Sequence, residues 1–201
     1  MTQIMYDTEM TDGQIEDVLN ILRDKMHKHR SVITTDAAQL VFVIENLAMV
    51  MFTSFRECAD AMSKMIIRKV SANHDCPPEQ LLSALGQKQY CNHDVLATMP
   101  RGKGSEIEVL FLKLNIFMND YEIEKELAKY GLVAASPYDV VAVNKADPAF
   151  AGSHPNFSHW KDTNGKWCYL SCYLWGDERR MRVDRRDHGW DSSWWVAGVP
   201  K

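Results

Sequence analysis

The chain has no long apolar run, no strong charge of either sign and no tryptophan before residue 160. The most apolar stretch, 41–52, is interrupted by Glu45 and Asn46, and it falls short of the roughly 20 apolar residues a membrane helix needs. Met1–Met10 lacks the basic and apolar regions of a secretory signal, so a cytoplasmic protein without membrane partners is expected. A net charge of −4 over 201 residues and a pI near 6.0 give no global attraction to nucleic acid. The five cysteines (Cys58, Cys76, Cys91, Cys168, Cys172) are odd in number and show no disulfide spacing, which points to reduced thiols. Phosphate loop, G-x-S-x-G, H-E-x-x-H and dinucleotide fingerprint are all missing, so no catalytic set can be assembled and the chain reads as non-enzymatic.

What is present begins with helices. Ile15, Val18, Leu19, Leu22 and Met26 recur on one face, predicting a helix from about Gln14 to His29 that Thr11 or Asp12 can cap. A second apolar stripe (Leu40, Val43, Leu47, Met51, Phe55, Cys58, Met62, Met65) predicts one long helix from Thr35 to about Lys69. At about 1.5 Å per residue it would exceed 45 Å, more than the first helix can cover. A second copy of the chain is an economical cover for the remainder, so a homo-oligomeric helical bundle is expected. A short helix over Glu79–Leu85 follows, with Pro77 or Pro78 in its first turn and Gly86 ending it. Residues 99–104, rich in glycine and charge, look like a linker, which divides the chain into a helical domain, 1–100, and an α+β module, 105–201.

In that module residues 106–114 alternate as a strand, though Ser105 and Glu108 could also cap a helix. Asn119 or Asp120 caps a helix that ends at Gly131, Ser136-Pro137 opens another, and Asp147-Pro148 starts a short turn. Asp162–Gly165 is a hairpin turn, because Asn164-Gly165 supplies positive φ angles. Strands over Trp167–Trp175, Arg180–Arg186 and Trp194–Val199 complete a predicted four-strand meander. The fold class is therefore α+β: a helical N-terminal half, then a small antiparallel β meander with flanking short helices.

All six tryptophans (Trp160, Trp167, Trp175, Trp190, Trp194, Trp195) fall in the last 42 residues. A small sheet can use large aromatics to fill its core, so Trp167 and at least one of Trp194 and Trp195 are expected to be buried. Adjacent Trp194 and Trp195 face opposite sides of a strand, and Trp190 and Trp194 are the candidates for a recognition surface. The wording DPAFAGSHPNFSHWKDTNGKWCY, continued to DSSWWVAGVPK, resembles a C-terminal module of small uncharacterised bacterial proteins. Asp147, Pro148, His154, Pro155, Trp160, Gly165, Trp167, Trp194, Trp195 and Gly198 carry the resemblance. It covers about the last half of the chain and implies a discrete module, with no activity attached.

Two further constellations stand out. Arg180, Arg182 and Arg186 lie among aromatics, as in a nucleic-acid-binding strand, but interleaved acids reduce the sum over 177–187 to +1. Cross-strand ion pairs are the simpler reading. His74, Cys76, Cys91 and His93 could form a tetrahedral zinc site, although one-residue spacings are tighter than usual. Cys168 and Cys172, four apart on a strand, would sit about 13 Å apart, beyond one metal ion or a disulfide. These features favour a protein-interaction and oligomerisation protein whose partner is another protein or itself. Nucleic-acid binding through the arginine strand, and a small zinc protein or enzyme, are the alternatives.

Overall fold

Residues 10–42, 46–185 and 188–201 are described by the structure, a computed structural model of the chain. The chain divides at Phe55/Arg56 into two units.

In the first unit, helix α1 (Asp12–Lys28) starts where its capping chemistry dictates. Thr11 Oγ1 accepts the N–H of Gln14, and the Gln14 side chain accepts the N–H of Thr11. Helix α2 (Thr35–Phe42) follows, and α3 (Leu47–Ser63), which runs on past the division at Phe55/Arg56, begins after Asn46, whose φ of 68° is left-handed. No continuous α-helix passes through such a residue, so the single helix predicted over 35–69 is corrected to two helices and, beyond them, a strand. Val43 of the expected stripe lies outside the described residues. None of the residues from 10 to 55 whose burial is described is buried.

The second unit is built on one mixed sheet of eight strands. Strand β1 (Ile66–Ser71) occupies the end of the expected long helix, where β-branched Ile66, Ile67 and Val70 favour an extended chain. Helix α4 (Pro78–Ser83) carries Pro78 at its first position, and Gly86 turns the chain with φ 60°. Strand β2 (Lys88–Cys91), helix α5 (His93–Leu96) and strand β3 (Glu106–Lys113) come next. Asn119 and Glu122 form a capping box at α6 (Asp120–Lys129), which strand β4 (Leu132–Ala134) follows. Ser136 and Asp139 form another at α7 (Pro137–Ala146), and one turn, α8 (Phe150–Ser153), precedes β5 (Asn156–Lys161). Strands β6 (Trp167–Trp175), β7 (Glu178–Arg185) and β8 (Trp195–Pro200) end the chain.

The spatial order is β1-β3-β8-β5-β6-β7-β2, with β4 also paired to β8. The pairings β5–β8 and β2–β7 are parallel and the rest antiparallel. Two expectations are thereby corrected. The four-strand meander reduces to β5-β6-β7, because β8 leaves it for the centre of the sheet and the outer edge of β7 is taken by β2. The domain boundary is not at 99–104, because β1 and β2, upstream of it, pair with β3 and β7, downstream.

Period-two alternation sends side chains to two cores. Helices α4, α5, α7 and α8 contribute to the first, with Phe111, Tyr138, Phe150, Leu170, Met181 and Val183 at its centre. Helix α6 and the segment before β8 contribute to the second, where Ile123, Leu127, Phe157, Trp190 and Val196 pack. Gly198 lets α6 approach closely: a Cβ there would lie 3.1 Å from Leu127 and 3.2 Å from Leu132. No helix among the described residues is long and apolar enough to cross a membrane.

The β5–β6 turn is tied by one carboxylate. Asp162 Oδ1 accepts the N–H groups of Asn164 and Lys166, each at 2.9 Å, and Oδ2 accepts Nε and Nη2 of Arg185. Hydrogen bonds, chiefly from the Lys166 N–H, hold the Asp162 carboxyl below its ordinary value of 3.8, against the opposing effect of burial.

Two outcomes are expected. A fragment of residues 56–201 should give a dispersed amide spectrum, whereas one starting at Ser105 should not, since it lacks two strands and core residues Leu82, Val95 and Leu96. On acid titration, the stabilisation from Asp162 should be complete above 3.8 and vanish as pH falls through its lower folded-state value. The Asp162 carboxyl carbon shift reads this directly, and a midpoint at or above 3.8 would contradict the turn's bonding.

Candidate functional site

The second face of the sheet is covered over β3, β8 and β5, but its β6-β7-β2 half carries an exposed ladder of aromatic and charged side chains. Register places it there. Tyr173 lies opposite Arg180 and Trp175 opposite Glu178, while Lys88 and Tyr90 flank Arg180 and Arg182 from the far side. Trp175 is 66% exposed and Tyr90 39%. The Arg180 guanidinium sits between these rings, 5.6 Å from the centroid of Tyr90 and 5.7 Å from that of Trp175, within cation–π range. Glu178 binds Arg180 at 2.7 Å and Lys88 at 3.3 Å, and Asp184 binds Arg182 at 2.8 Å. The Arg180 hydrogen bond is the main cause holding the Glu178 carboxyl below its ordinary range. Among the described residues three cations therefore share this face with two carboxylates. The arginines pair with acids two positions away on β7 itself and only Lys88–Glu178 crosses between strands, which corrects the expected cross-strand pairing of the arginines.

Of the sequence-derived binding residues, Arg180 and Arg182 lie on this open face. Trp194 borders it, half-buried, with its ring edge-on to Tyr173 at 5.8 Å. Arg186 lies outside the described residues. Trp190 is a correction: it is fully buried, stacked 3.5 Å from Phe157, and its Nε1–H donates to Asp120 Oδ1 at 3.1 Å. No partner can reach it without unpacking the second core. The burial expected of Trp167 and of one of Trp194 and Trp195 is likewise corrected: all three are half-buried, and the buried tryptophans are Trp160 and Trp190.

The zinc set is not assembled. His74 Nε2 is bound to Asp139 Oδ1 at 2.8 Å, and the Cys76 thiol donates to the carbonyl of Asn73. Cys91 lies on β2 beside Val183, where burial pushes its thiol up, and His93 opens α5. Among the described residues no three His, Cys, Asp or Glu side chains gather as metal ligands. The His74–Asp139 pair instead ties the segment before α4 to the start of α7. Gly102 is packed against it, since a Cβ there would collide with His74 Nε2 and Ser136 Oγ. Cys168 and Cys172 are buried on one face of β6, and burial pushes the Cys172 thiol up to about 12.

A second histidine–aspartate pair lies deeper, and sequence reasoning missed it. His159 Nδ1 meets Asp120 Oδ1 at 2.7 Å, and its ring is stacked on Trp167 at 4.8 Å. The His159 side chain has no exposed surface, and its Nε2 is buried without a hydrogen-bond partner. The pair ties α6 to β5. Only the register of β5 and the seating of α6 bring the two residues together, across 39 positions. Tyr90 was also missed, because the short strand β2 gave no alternation to read. No protein family, curated protein or solved structure matches the chain.

Trp190→Phe keeps the stacked ring but removes one of the two donors to the buried Asp120 carboxylate. The expected loss is about 1–3 kcal/mol by urea denaturation. Trp175→Ala, at an exposed position, should change stability by less than about 0.5 kcal/mol. The reverse order would contradict the assignment of core and surface tryptophans.

Proposed function

We propose that this is a non-enzymatic interaction protein that docks another protein on the open β6-β7-β2 face. The observation that supports this is the exposed Tyr90–Arg180–Trp175 ladder, with Tyr173 and Arg182 beside it. Trp, Tyr and Arg are the side chains most enriched in the energetic centres of protein interfaces. The rings offer large contact area at low entropic cost, and Arg180 is already oriented between them. Single-stranded nucleic acid could stack on the same rings. The protein reading is favoured because Arg180 and Arg182 each hold a carboxylate, which leaves, among the described residues, a surplus of one positive charge on the face.

A second reading, self-association through the helical segment, rests on a separate observation. Ile15, Leu19 and Met26 on α1, and Met49, Phe52 and Phe55 on α3, are exposed. Apolar area left in water is unfavourable by about 25 cal/mol per Å², which a second copy of the chain could recover.

Two measurements test these readings. In affinity capture from the native cell, Tyr90→Ala/Trp175→Ala should lose the captured protein at unchanged melting temperature, because removing two centre residues costs about 2 kcal/mol or more, near 30-fold in affinity. Recovery of nucleic acid that is released by nuclease and by salt would overturn the protein reading. By analytical ultracentrifugation, the chain should sediment above 23.1 kDa at high concentration, and Phe52→Asp should return it to one copy. A single-copy species across the full range would refute self-association.

A further inference from the structure

We propose that Asn164 is a site of spontaneous covalent modification, deamidation through a succinimide closed by the Gly165 amide nitrogen, and that Asp162 gates it by holding the β5–β6 turn shut. The site is independent of the sheet-face reading. Of the nine asparagines in the chain, Asn164 alone is followed by glycine. Both residues are exposed, and nothing lies within 4 Å of the place a Gly165 Cβ would take, so no side chain shields the nitrogen there. Asn164 is held through its backbone N–H, while its carboxamide makes no hydrogen bond among the described residues.

The reaction needs only these two residues and water. The Gly165 nitrogen loses its proton and attacks Asn164 Cγ. The new N–Cγ bond forms, the bond from Cγ to Nδ2 breaks, and Nδ2 takes up the proton and leaves as ammonia. Water then opens the imide at either carbonyl, which gives aspartate or isoaspartate at 164.

The turn opposes the first step. The Gly165 N–H donates to the Asp162 carbonyl at 2.9 Å, and the Asp162 N–H donates to the Lys166 carbonyl at 2.9 Å. Among the described residues other than glycine only Asn46 has a positive φ, so the left-handed angle of this turn falls on Gly165 alone, at 75°, and not on Asn164 as well. Ring closure must swing the Gly165 nitrogen from the Asp162 carbonyl toward Asn164 Cγ. That motion rotates the peptide between Asn164 and Gly165. Asp162 Oδ1 holds the N–H groups on either side of Gly165, those of Asn164 and Lys166, and Oδ2 is anchored to Arg185 on β7. The peptide is therefore clamped until Asp162 lets go, and opening of this turn sets the rate. An isoaspartyl product carries the main chain through the former side chain and lengthens the turn by one carbon. The two N–H groups then no longer meet Oδ1 together, so the modification loosens the tie between the hairpin and β7.

The test ages the full chain at neutral pH, folded or unfolded in guanidinium chloride. Trypsin, cutting after Lys161 and Lys166, releases residues 162–166, and mass spectrometry with chromatography separates the asparaginyl, aspartyl and isoaspartyl forms. The folded chain should convert about tenfold or more slowly than the unfolded one, and Asp162→Ala, shown to be folded by its amide spectrum, should recover most of that factor. Asp162→Asn, which keeps one acceptor for the turn, should give an intermediate rate. Trp190→Phe weakens the second core away from the turn and should leave the rate within about twofold of the unaltered chain, because local opening is what counts. Equal rates in the folded and unfolded chain would overturn the proposal. So would a rate unmoved by both Asp162 variants, or one raised as much by Trp190→Phe as by Asp162→Ala.

Discussion

The second unit depends on strand β8. Its residues Val196–Gly198 are buried, and a buried strand must satisfy its backbone on both edges. One edge is met by β3, and the other by β5 at its start and β4 at its end. Without β8 the sheet would fall into an antiparallel β1-β3 pair and a β5-β6-β7-β2 block, with no strand pairing joining them. The last strand in the sequence thus closes the sheet from its middle. The contacts it completes are mostly distant in sequence, and such pairings bear their loop-closure entropy before they contribute.

With the sheet closed, the two faces are treated differently. On the first, α4, α5, α7 and α8 add side chains to one core reaching from Phe111 on β3 to Val183 on β7. On the second, α6 is a single helix of ten residues, and it packs over β8 and its neighbours, where Gly198 admits it closely. One helix about 10 Å wide cannot cover seven strands spaced nearly 5 Å apart. The uncovered half therefore carries Tyr90, Tyr173, Trp175 and paired charges in place of aliphatic side chains. The open ladder follows from the shortage of covering helix as much as from the residues that form it.

Polar groups inside the unit are paired across elements. Asn144 of α7 donates to Asn156 of β5 at 2.9 Å, Ser158 of β5 donates to the Ala135 carbonyl, and Asp120 of α6 accepts from His159 and Trp190. The first two, and the His159 bond, join a helix or loop to β5, and the Trp190 bond joins α6 to the segment before β8. A buried polar group left unpaired costs about 1–3 kcal/mol, so these bonds penalise any other seating of α6 or α7. They select one arrangement more than they add net stability.

Local chemistry was legible in the sequence. The caps at Thr11, Asn119 and Ser136, the proline at the start of α4, the Asn164-Gly165 turn and the strand at 106–114 depend on neighbours within about four residues, and such rules need no tertiary contact. The pairing of arginines with interleaved acids was legible for the same reason. The apolar stripe across 40–65 misled, because a three-to-four spacing cannot register a left-handed Asn46 or the strand after it. The order of the strands, the burial of Trp190, the meeting of His159 with Asp120 and the open aromatic ladder were decided only by tertiary structure. Each joins residues tens of positions apart, and alternation along a strand says which residues share a face without saying what, if anything, covers it.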